Sequence, residues 1–531
     1  MPGGFLQLTT YQIDGGDFTN YKPEITFFKS VFKRYTNFSI ENIAVEFNNY
    51  SEPDWDKPME YISRLDNIGH VLNNMYLTVS IPQFQQDSAL DLKWIHNLGL
   101  HIIESVQFSI GGEIIQEFSS DWINIYYKRY LRYEQYLQQL SLINMNNNSP
   151  DRKNILNVAT DLHIFLPFYF SKDYSLSLPF LNVEYQSIYV KFIIKPIKHW
   201  ITLVETKTDS PYYGKRICPY RTKYINNYIN IIKSKSNGKF VFSLNAHCGF
   251  LETDEFNKLR NSTLNYLIDQ NTEIIQKGIV DKKVSITINQ RLPIKELWIL
   301  PSRDDIPSRN TYGQYSHLEN FEEQDADLLK PVDYVTSAYT PTSFLRQYWF
   351  YYTGNEQLPT HNIIDDVSLI LDEQYRFKGL NSPYLALIQP LIHKYHFNTL
   401  DYIYNYSFAL DPLQYQPSGF LNMDRIHKAQ LNITMASLPP PKPVYMTIRK
   451  AIDGGGRKKG FNIPLVIPQQ PNNPTPPNNQ PSQSPIYQPE PEEFQPYNNE
   501  KYAYKFNIKI IMVNFNILRI KGGMADIIIR K

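Results

Sequence analysis

The residues of this chain that could carry out chemistry are few and lie apart in the sequence. His393 and His396 could share a metal ion on a helix, but no cysteine or acidic residue is in step with them. We interpret both as structural histidines. His247 and Cys248 are adjacent, and neighbouring side chains of a β-strand point to opposite faces. That geometry argues against a cysteine–histidine dyad.

Two pairs of aspartates and one glycine-rich run complete the candidates. Asp304 with Asp305, and Asp365 with Asp366, resemble turn or helix-cap carboxylates more than a catalytic pair. Residues 454–460, GGGRKKG, lack the spacing of a phosphate-binding loop and lead into a proline-rich tract instead of a helix. We therefore predict no catalytic residue, no metal ligand and no cofactor, and we expect the protein not to be an enzyme.

Basic residues cluster at 233–239 and at 454–460, where they could touch nucleic acid or anionic lipid. The whole chain, however, has 53 basic and 52 acidic residues, and its net charge of +1 creates no general attraction for nucleic acid. Its 40 tyrosines and 30 phenylalanines are plentiful, but they occur at strand periodicity, which is typical of cores and interfaces. We expect no sequence-specific binding of nucleic acid.

Short apolar runs that end at turn residues predict β-strands along most of the chain. In residues 104–110, Val106, Phe108 and Ile110 share one face, and the glycine pair at 111–112 predicts a hairpin. The same pattern predicts further strands at residues 75–81, 187–195, 284–288, 295–300, 367–371 and 404–410. Pro301 ends the strand at 295–300.

One helix and one irregular strand stand out in the second half. Thr253 suits an N-cap, and apolar residues follow it at helical spacing as far as Ile268. Residues 505–510 alternate in one parity, whereas the apolar residues of 513–517 alternate in the other. This change of parity predicts a β-bulge near Ile511.

A chain of 531 residues is too long for one ordinary core, so we predict two domains. The boundary is placed at residue 235, within a polar and basic stretch. Residues 464–496 hold eleven of the 36 prolines, and we expect an extended surface loop at about 450–500. Two cysteines cannot build a disulfide framework, which suggests folding in a reducing compartment. No apolar run approaches the roughly 20 residues that cross a bilayer.

Several stretches together resemble the major capsid proteins of nucleocytoplasmic large DNA viruses, a family found in mimivirus-like viruses, phycodnaviruses and iridoviruses. Residues 3–8 and residues 23–39, PEITFFKSVFKRYTNFS, are similar to the opening of that family. The similar stretches that follow, in the family's order, are 98–122, 166–170, 176–185, 250–268, 293–298, 406–410, 416–419 with Asn422, Arg425 and Ile426, and 514–520. The resemblance spans nearly the whole chain.

This resemblance implies an all-β double jelly roll, that is, two consecutive eight-stranded β-sandwiches with a few short helices. Residues 1–235 would form an N-terminal segment and the first jelly roll, and residues 236–531 the second. The family's subunits form homotrimers, which pack as pseudo-hexagonal capsomers into an icosahedral shell. The implied location is the virion, after assembly in the host cytoplasm. Minor capsid proteins and an inner membrane are the implied partners beneath the aromatic residues of 25–38.

Two features depart from the family pattern. Residues 522–531 begin like the family's ending but finish with apolar and basic residues, and the proline-rich loop is additional. These departures leave an alternative open, in which the chain is a paralogous minor or attachment jelly-roll protein of the virion that binds host glycans.

Overall fold

The computed structural model describes two β-sandwiches that follow one another along the chain. The described residues are 28–30, 32–66, 68–83, 90–95, 97–143, 160–205, 216–217, 239–310, 312–313, 315–316, 362–395, 402–436 and 504–529. The predicted loop at 450–500, the run 454–460, residues 233–238, residues 3–8 and His396 lie outside these residues.

The first sandwich consists of two antiparallel sheets. One has the order β1 (Phe38–Val45), β12 (Val241–Leu251), β3 (Val71–Ile81) and β7 (Thr160–Phe165), and β8 (Leu178–Pro179) also pairs with β3. The other has the order β2 (Met59–Arg64), β9 (Ile188–Ile194), β5 (Ile103–Ile110) and β6 (Glu113–Ser119). Counting these eight main strands along the chain, the two orders are 1-8-3-6 and 2-7-4-5.

The second sandwich repeats this strand order. Its first sheet is β13 (Leu264–Ile279), β20 (Phe506–Lys521), β15 (Ile294–Arg303) and β18 (Tyr404–Ser407), with β21 (Met524–Ile527) also paired to β20. Its second sheet is β14 (Lys283–Thr287), β19 (Ala429–Met435), β16 (Ile364–Leu371) and β17 (Gln374–Asn381). Two eight-stranded, two-sheet sandwiches with one shared order are two consecutive jelly rolls, as predicted.

Short elements fill the connections. A small sheet contains β4 (Leu90–Trp94), β10 (Ile201–Glu205) and β11 (Arg216–Ile217). The α-helices are α1 (Leu98–Ile102), α2 (Ser120–Arg129), α3 (Tyr133–Ile143), α4 (Thr253–Arg260), α5 (Ile306–Arg309) and α6 (Gln389–Ile392). Single 3₁₀ turns lie at Tyr169–Ser171, Tyr174–Leu176, Phe180–Asn182 and Ile197–His199, and a π-helical turn spans Tyr384–Ile388.

The hairpin of β5 and β6 shows how local sequence produces this fold. Val106, Phe108 and Ile110 are fully buried, whereas the polar residues between them are only half-buried. Gly111 and Gly112 have φ of 61° and 87°, and two successive residues with positive φ form the tight turn whose twist suits a hairpin. Both the strand and its turn are confirmed.

Strand β20 lies between two hydrophobic cores. Ile508, Ile510 and Met512 belong to the core of the second sandwich, whereas Ile511 and Val513 belong to the core that fills the first. The prediction of a bulge near Ile511 is wrong, because the pairing of β20 with β13 runs without a shift through this position. The apolar parity changes because both faces of the strand are buried there.

The register shift nearest to Ile511 lies instead in the pairing of β20 with its other neighbour. Strand β15 shifts between Ile294 and Glu296, opposite Asn514 and Val513. A bulge of this kind turns two consecutive side chains toward the same side of a sheet. Lys295 and Glu296 are accordingly both buried.

The helix predicted from Thr253 to Ile268 is shorter than expected. Helix α4 ends at Arg260, and Ile268 lies in β13. Pairing of β13 with β20 overrides the helical spacing in this segment, because tertiary contacts outweigh local propensity. The N-cap residue is Glu252 instead of Thr253, and Phe256 packs its half-buried ring 4.8 Å from that of His70.

Two strand ends also differ from expectation. Strand β15 continues through Pro301 to Arg303, because at Pro301 the strand pairs with β20 alone and has passed its last contact with β18. A proline is tolerated where a strand has one free edge. The strand predicted at 404–410 ends at Ser407.

Strand β12 bears on the domain boundary that was predicted at residue 235. It pairs with β1 and β3, and its buried residues Leu244, Ala246 and Cys248 belong to the first core. We therefore propose that the first sandwich extends to Leu251 and that the boundary lies in the segment of α4, before β13 begins at Leu264.

Candidate functional site

A network of polar contacts between described residues lies where the two sandwiches meet, and we call it the junction. Edge strands β6 and β13 approach one another there. Gln270 of β13 donates a hydrogen bond of 2.6 Å to the carbonyl of Ile115, and Ser119 at the end of β6 donates to Glu273. Each sheet edge is thereby covered by the other sandwich, which removes two surfaces prone to unspecific strand pairing.

Lys509 connects the last main strand to the first sandwich. Its Nζ contacts Asp121 of α2 and lies 3.4 Å from Oε2 of Glu273. Burial would raise the pKa of Asp121, but Lys509, together with Lys195 and a hydrogen bond of 2.9 Å from Tyr315, lowers it to about 2. The pKa of Lys509 is raised, since the attraction of the two carboxylates outweighs the effect of burial.

A second charged group lies deeper in the junction. Asp269 of β13 accepts a hydrogen bond from Lys172 of the first sandwich and lies 3.6 Å from Nζ of Lys295. Burial would raise the pKa of Asp269, but the two ammonium groups lower it. Tyr130, which follows α2, donates to Glu296, a carboxylate with no solvent exposure. Burial and this carboxylate hold the pKa of Tyr130 well above its usual value.

The hairpin of β20 and β21 also forms hydrogen bonds with the first sandwich. The N–H of Tyr185 donates to the carbonyl of Gly523 at 3.1 Å, and the N–H of Ala525 donates to Oε1 of Gln186 at 2.6 Å. The ring of Tyr185 lies where a Cβ on Gly523 would be, 2.5 Å from that position. This close approach and the positive φ of 81° at Gly523 both favour glycine.

The segment after β15 completes the junction. The hydroxyl of Tyr312 lies 2.8 Å from Nδ1 of His199, and the ring of Tyr312 lies 4.3 Å from Nζ of Lys195. Asn310 donates to the carbonyls of Lys198 and Ile201. Burial lowers the pKa of His199 to about 4, and nearby Lys195 and Lys198 act in the same direction. The imidazole is therefore neutral at physiological pH.

The histidine and cysteine candidates lie away from this junction. His393 is buried, and its Nδ1 lies 3.2 Å from the carbonyl oxygen of Leu410, a contact in keeping with a structural histidine. Cys248 is fully buried in the first core, whereas its neighbour His247 is half-buried on the other face of β12. Burial raises the pKa of the Cys248 thiol to about 12, so the thiolate is disfavoured.

The two aspartate pairs have different surroundings. Asp304 accepts a hydrogen bond of 2.8 Å from the N–H of Lys505, and Asp305 precedes α5 and forms an ion pair with Arg303. These are turn and cap positions, as predicted. Asp365 and Asp366 instead lie within β16, beside the register shift in its pairing with β19, so their assignment to a turn is wrong. The bulge accommodates residues that are rare in regular strands.

Of the basic run 233–239, the described part is Lys239, which pairs with Glu52 at 3.2 Å on the surface. Within the described residues, no three His, Cys, Asp or Glu side chains are grouped so that they could bind a metal ion. Among the same residues, no helix has both the length and the apolar character to cross a membrane.

Aromatic side chains project from the extended chain before and at the start of β1. Phe28, Phe32 and Tyr35 are 99%, 91% and 82% exposed, and Phe38 and Ile40 continue the apolar surface. Exposed apolar residues grouped in this way are typical of contact surfaces.

The sequence indicates the aromatic segment but not the junction. It predicts a strand that contains Lys295 and Glu296, and the strand pattern by itself does not distinguish them from surface charges. Charged residues inside an apolar run, such as Lys295 and Glu296 in KELWIL, are the sequence signal that indicates buried charges. Their partners Asp269 and Lys172 come from distant parts of the chain, so no local spacing indicates them.

Two jelly rolls of one strand order, packed through a shared junction, define a double jelly-roll protein. A family model described as the N-terminus of the major capsid protein matches residues 26–232. A second, described as the large eukaryotic DNA virus major capsid protein, matches residues 255–442. The chain therefore belongs to the major capsid proteins of large eukaryotic DNA viruses, the family that its sequence resembles.

Individual relatives agree with this assignment. The chain is 24% identical to the major capsid protein of Phaeocystis pouchetii virus over 510 residues, covering 82% of this chain and 94% of the relative. It is 25% identical to that of Paramecium bursaria Chlorella virus 1, covering 82% of this chain and 87% of the relative. A subunit of the PBCV-1 virus capsid shares the fold, with a TM-score of 0.63 at 20% identity, and covers 95% of this chain and 100% of its own.

Proposed function

We propose that this capsid protein self-assembles into homotrimers that form pseudo-hexagonal capsomers and tile an icosahedral shell. The observation that carries the proposal is the repetition of one strand order in two sandwiches joined by a packed junction. Three such subunits around a closed three-fold axis place six similar β-sandwiches in a ring, whose outline approximates a hexagon. Hexagonal tiles cover a shell with few gaps.

The charge balance supports lateral packing of such tiles. With a net charge of +1, neighbouring capsomers carry no strong common charge that would drive them apart. The polar groups of the junction are directed inward, where they hold the two sandwiches of one subunit together. We accordingly assign the protein a structural role and no enzymatic one.

The exposed aromatic segment supports a further contact. Phe28, Phe32 and Tyr35 would lie on the inner side of the shell and meet minor capsid proteins or the inner membrane, after assembly in the host cytoplasm. Their exposure in the single chain is the supporting observation.

Size-exclusion chromatography with light scattering tests the trimer. The chain has a mass of 62.4 kDa, so the particle should have three times that mass, about 187 kDa. Negative-stain microscopy of the same fraction should show three-fold particles with a hexagonal outline.

A matched variant tests whether the trimer forms independently of the contacts on the inner side of the shell. Phe28→Ser with Phe32→Ser should keep the trimeric mass, because these side chains make no core contact. A wild-type protein that stays monomeric at all concentrations contradicts the proposal. A monomer that binds glycans on an array would instead favour the attachment protein.

A further inference from the structure

Lys295, Asp269 and Glu296 place an amine and two carboxyl groups within reach of one another in the interior. Nζ of Lys295 lies 3.6 Å from Oδ2 of Asp269 and 3.9 Å from Oε1 of Glu296. The three side chains are 3%, 11% and 0% exposed. Such a group has little water to compete for its charges or to hydrolyse a bond formed within it.

The bulge in β15 creates this arrangement. In a regular strand Lys295 and Glu296 would point to opposite faces of the sheet. The register shift between Ile294 and Glu296 lets both point inward, and Lys295 then reaches past β20 to Asp269 on β13. Bulges that redirect side chains are common beside reactive sites.

Aromatic rings surround the amine of Lys295, and one carboxylate oxygen of Glu296 faces this amine. Nζ of Lys295 lies 6.0 Å from the ring centre of Tyr130 and 5.8 Å from that of Phe515. Trp298 donates to Oε2 of Glu296 at 2.9 Å. Oε1 of Glu296 has no hydrogen-bond partner of regular geometry among the described residues, and the hydroxyl of Tyr395 lies close to the same carboxylate. Oε1 faces the lysine and can take up a proton.

Removing the charges also removes a desolvation cost. A lysine and an aspartate that stay ionised away from water each lose hydration, and their mutual attraction must offset this loss. Condensation of the two groups to an amide removes both charges and releases one water molecule. Lys172 and Glu296 then remain as one cation and one anion.

We propose that Lys295 and Asp269 join in an intramolecular isopeptide bond. Oε1 of Glu296 takes one proton from the Lys295 ammonium and passes it to Oδ1 of Asp269, and the free amine attacks Cγ of the resulting carboxylic acid. Lys172, which contacts Oδ2 of Asp269, stabilises the negative charge that develops on that oxygen. A second proton from the amine then passes through Glu296 to Oδ1, which already carries the first proton and leaves as water. The N–C bond has formed, one C–O bond has broken, and Glu296 is ionised again.

The bond would tie β13 to β15 across β20, the strand between them. It would form within one chain and does not depend on trimer assembly. The sheet at the junction would then resist unfolding even where its hydrogen bonds open.

Mass spectrometry of the denatured wild-type chain tests the proposal. We expect an intact mass lower than that of the sequence by one water molecule, and a branched tryptic peptide joined between Lys295 and Asp269. The Lys509–Asp121 pair is an internal control, because its side chains are 20% and 25% exposed and should stay unlinked in the same digest.

Three variants assign the roles. Lys295→Arg and Glu296→Gln should have the full sequence mass, whereas Lys172→Arg should still lose one water. Full sequence mass in the wild-type protein, or a branch at Lys172 in place of Lys295, overturns the proposal. The wild-type result is decisive even where a variant fails to fold.

Discussion

His199 and Asp121 make the stability of this protein depend on pH over two separate ranges. The pKa of His199 is lowered from 6.5 to about 4, so between these values the unfolded chain binds a proton that the folded chain does not. The free energy of unfolding therefore falls as the pH is lowered through this range. Because the imidazole is partly exposed, we expect a loss of about 1–2 kcal/mol. The pKa of Asp121 is lowered from 3.8 to about 2, so its contribution is lost only below about pH 4.

Urea unfolding at a series of pH values from 7 to 3 measures both effects. His199→Gln should flatten the dependence between pH 6.5 and 4 while leaving the acid range unchanged. Lys509→Met removes the main partner of Asp121 and should weaken the dependence below pH 4. A wild-type stability that stays constant between pH 6.5 and 4.5 would show that the environment of His199 is different.

At the scale of elements, glycine variants in the hairpin of β20 and β21 test how closely the two sandwiches approach one another. Gly522 and Gly523 both have positive φ, 60° and 81°, so alanine at either position is strained by about 1 kcal/mol. A Cβ on Gly522 meets no described atom within 4 Å, whereas one on Gly523 meets the ring of Tyr185 at 2.5 Å. We expect Gly523→Ala to destabilise the protein more than Gly522→Ala, by about 1 kcal/mol or more.

Chemical denaturation of the two variants gives this difference directly. Adding Tyr185→Ala to Gly523→Ala removes the obstructing ring and should restore stability to about the level of Gly522→Ala. Equal stability of the two glycine variants would contradict the docking of this hairpin.

For the whole molecule, the long connection between β19 and β20 should be dispensable for folding. Met435 at its start and Tyr504 at its end both belong to the second core. Deleting residues 450–500 leaves about 16 residues between the two described ends, enough to span about 50 Å. Since loop-closure entropy changes slowly with length, we expect the melting temperature to shift by only a few degrees.

Calorimetry and light scattering check this prediction on the full-length protein. The shortened chain should keep the three-fold assembly that we propose, with the mass lowered by three times that of the deleted segment. Deletion of the buried residues 506–512 is the matched control and should abolish folding, because it removes part of the second core. Loss of assembly in the loop deletion alone would assign the loop a role between subunits.

The amino-acid sequence by itself determined the all-β class, most strand positions and the family. Alternation in 104–110 and the glycine pair after it depend on neighbouring residues, so the pattern is legible without the fold. The same holds for the turn position of Asp304, which lies directly after a strand.

Only the tertiary structure decided which faces are buried and which distant strands pair. Leu264 pairs with Ile520, and this distant pairing turned the predicted end of a helix into a strand. Ile511 is buried because the first sandwich covers the second face of its sheet. Lys295 and Asp269 meet because a bulge and an intervening strand bring them together. These features depend on contacts between residues far apart in the chain, which local periodicity does not encode.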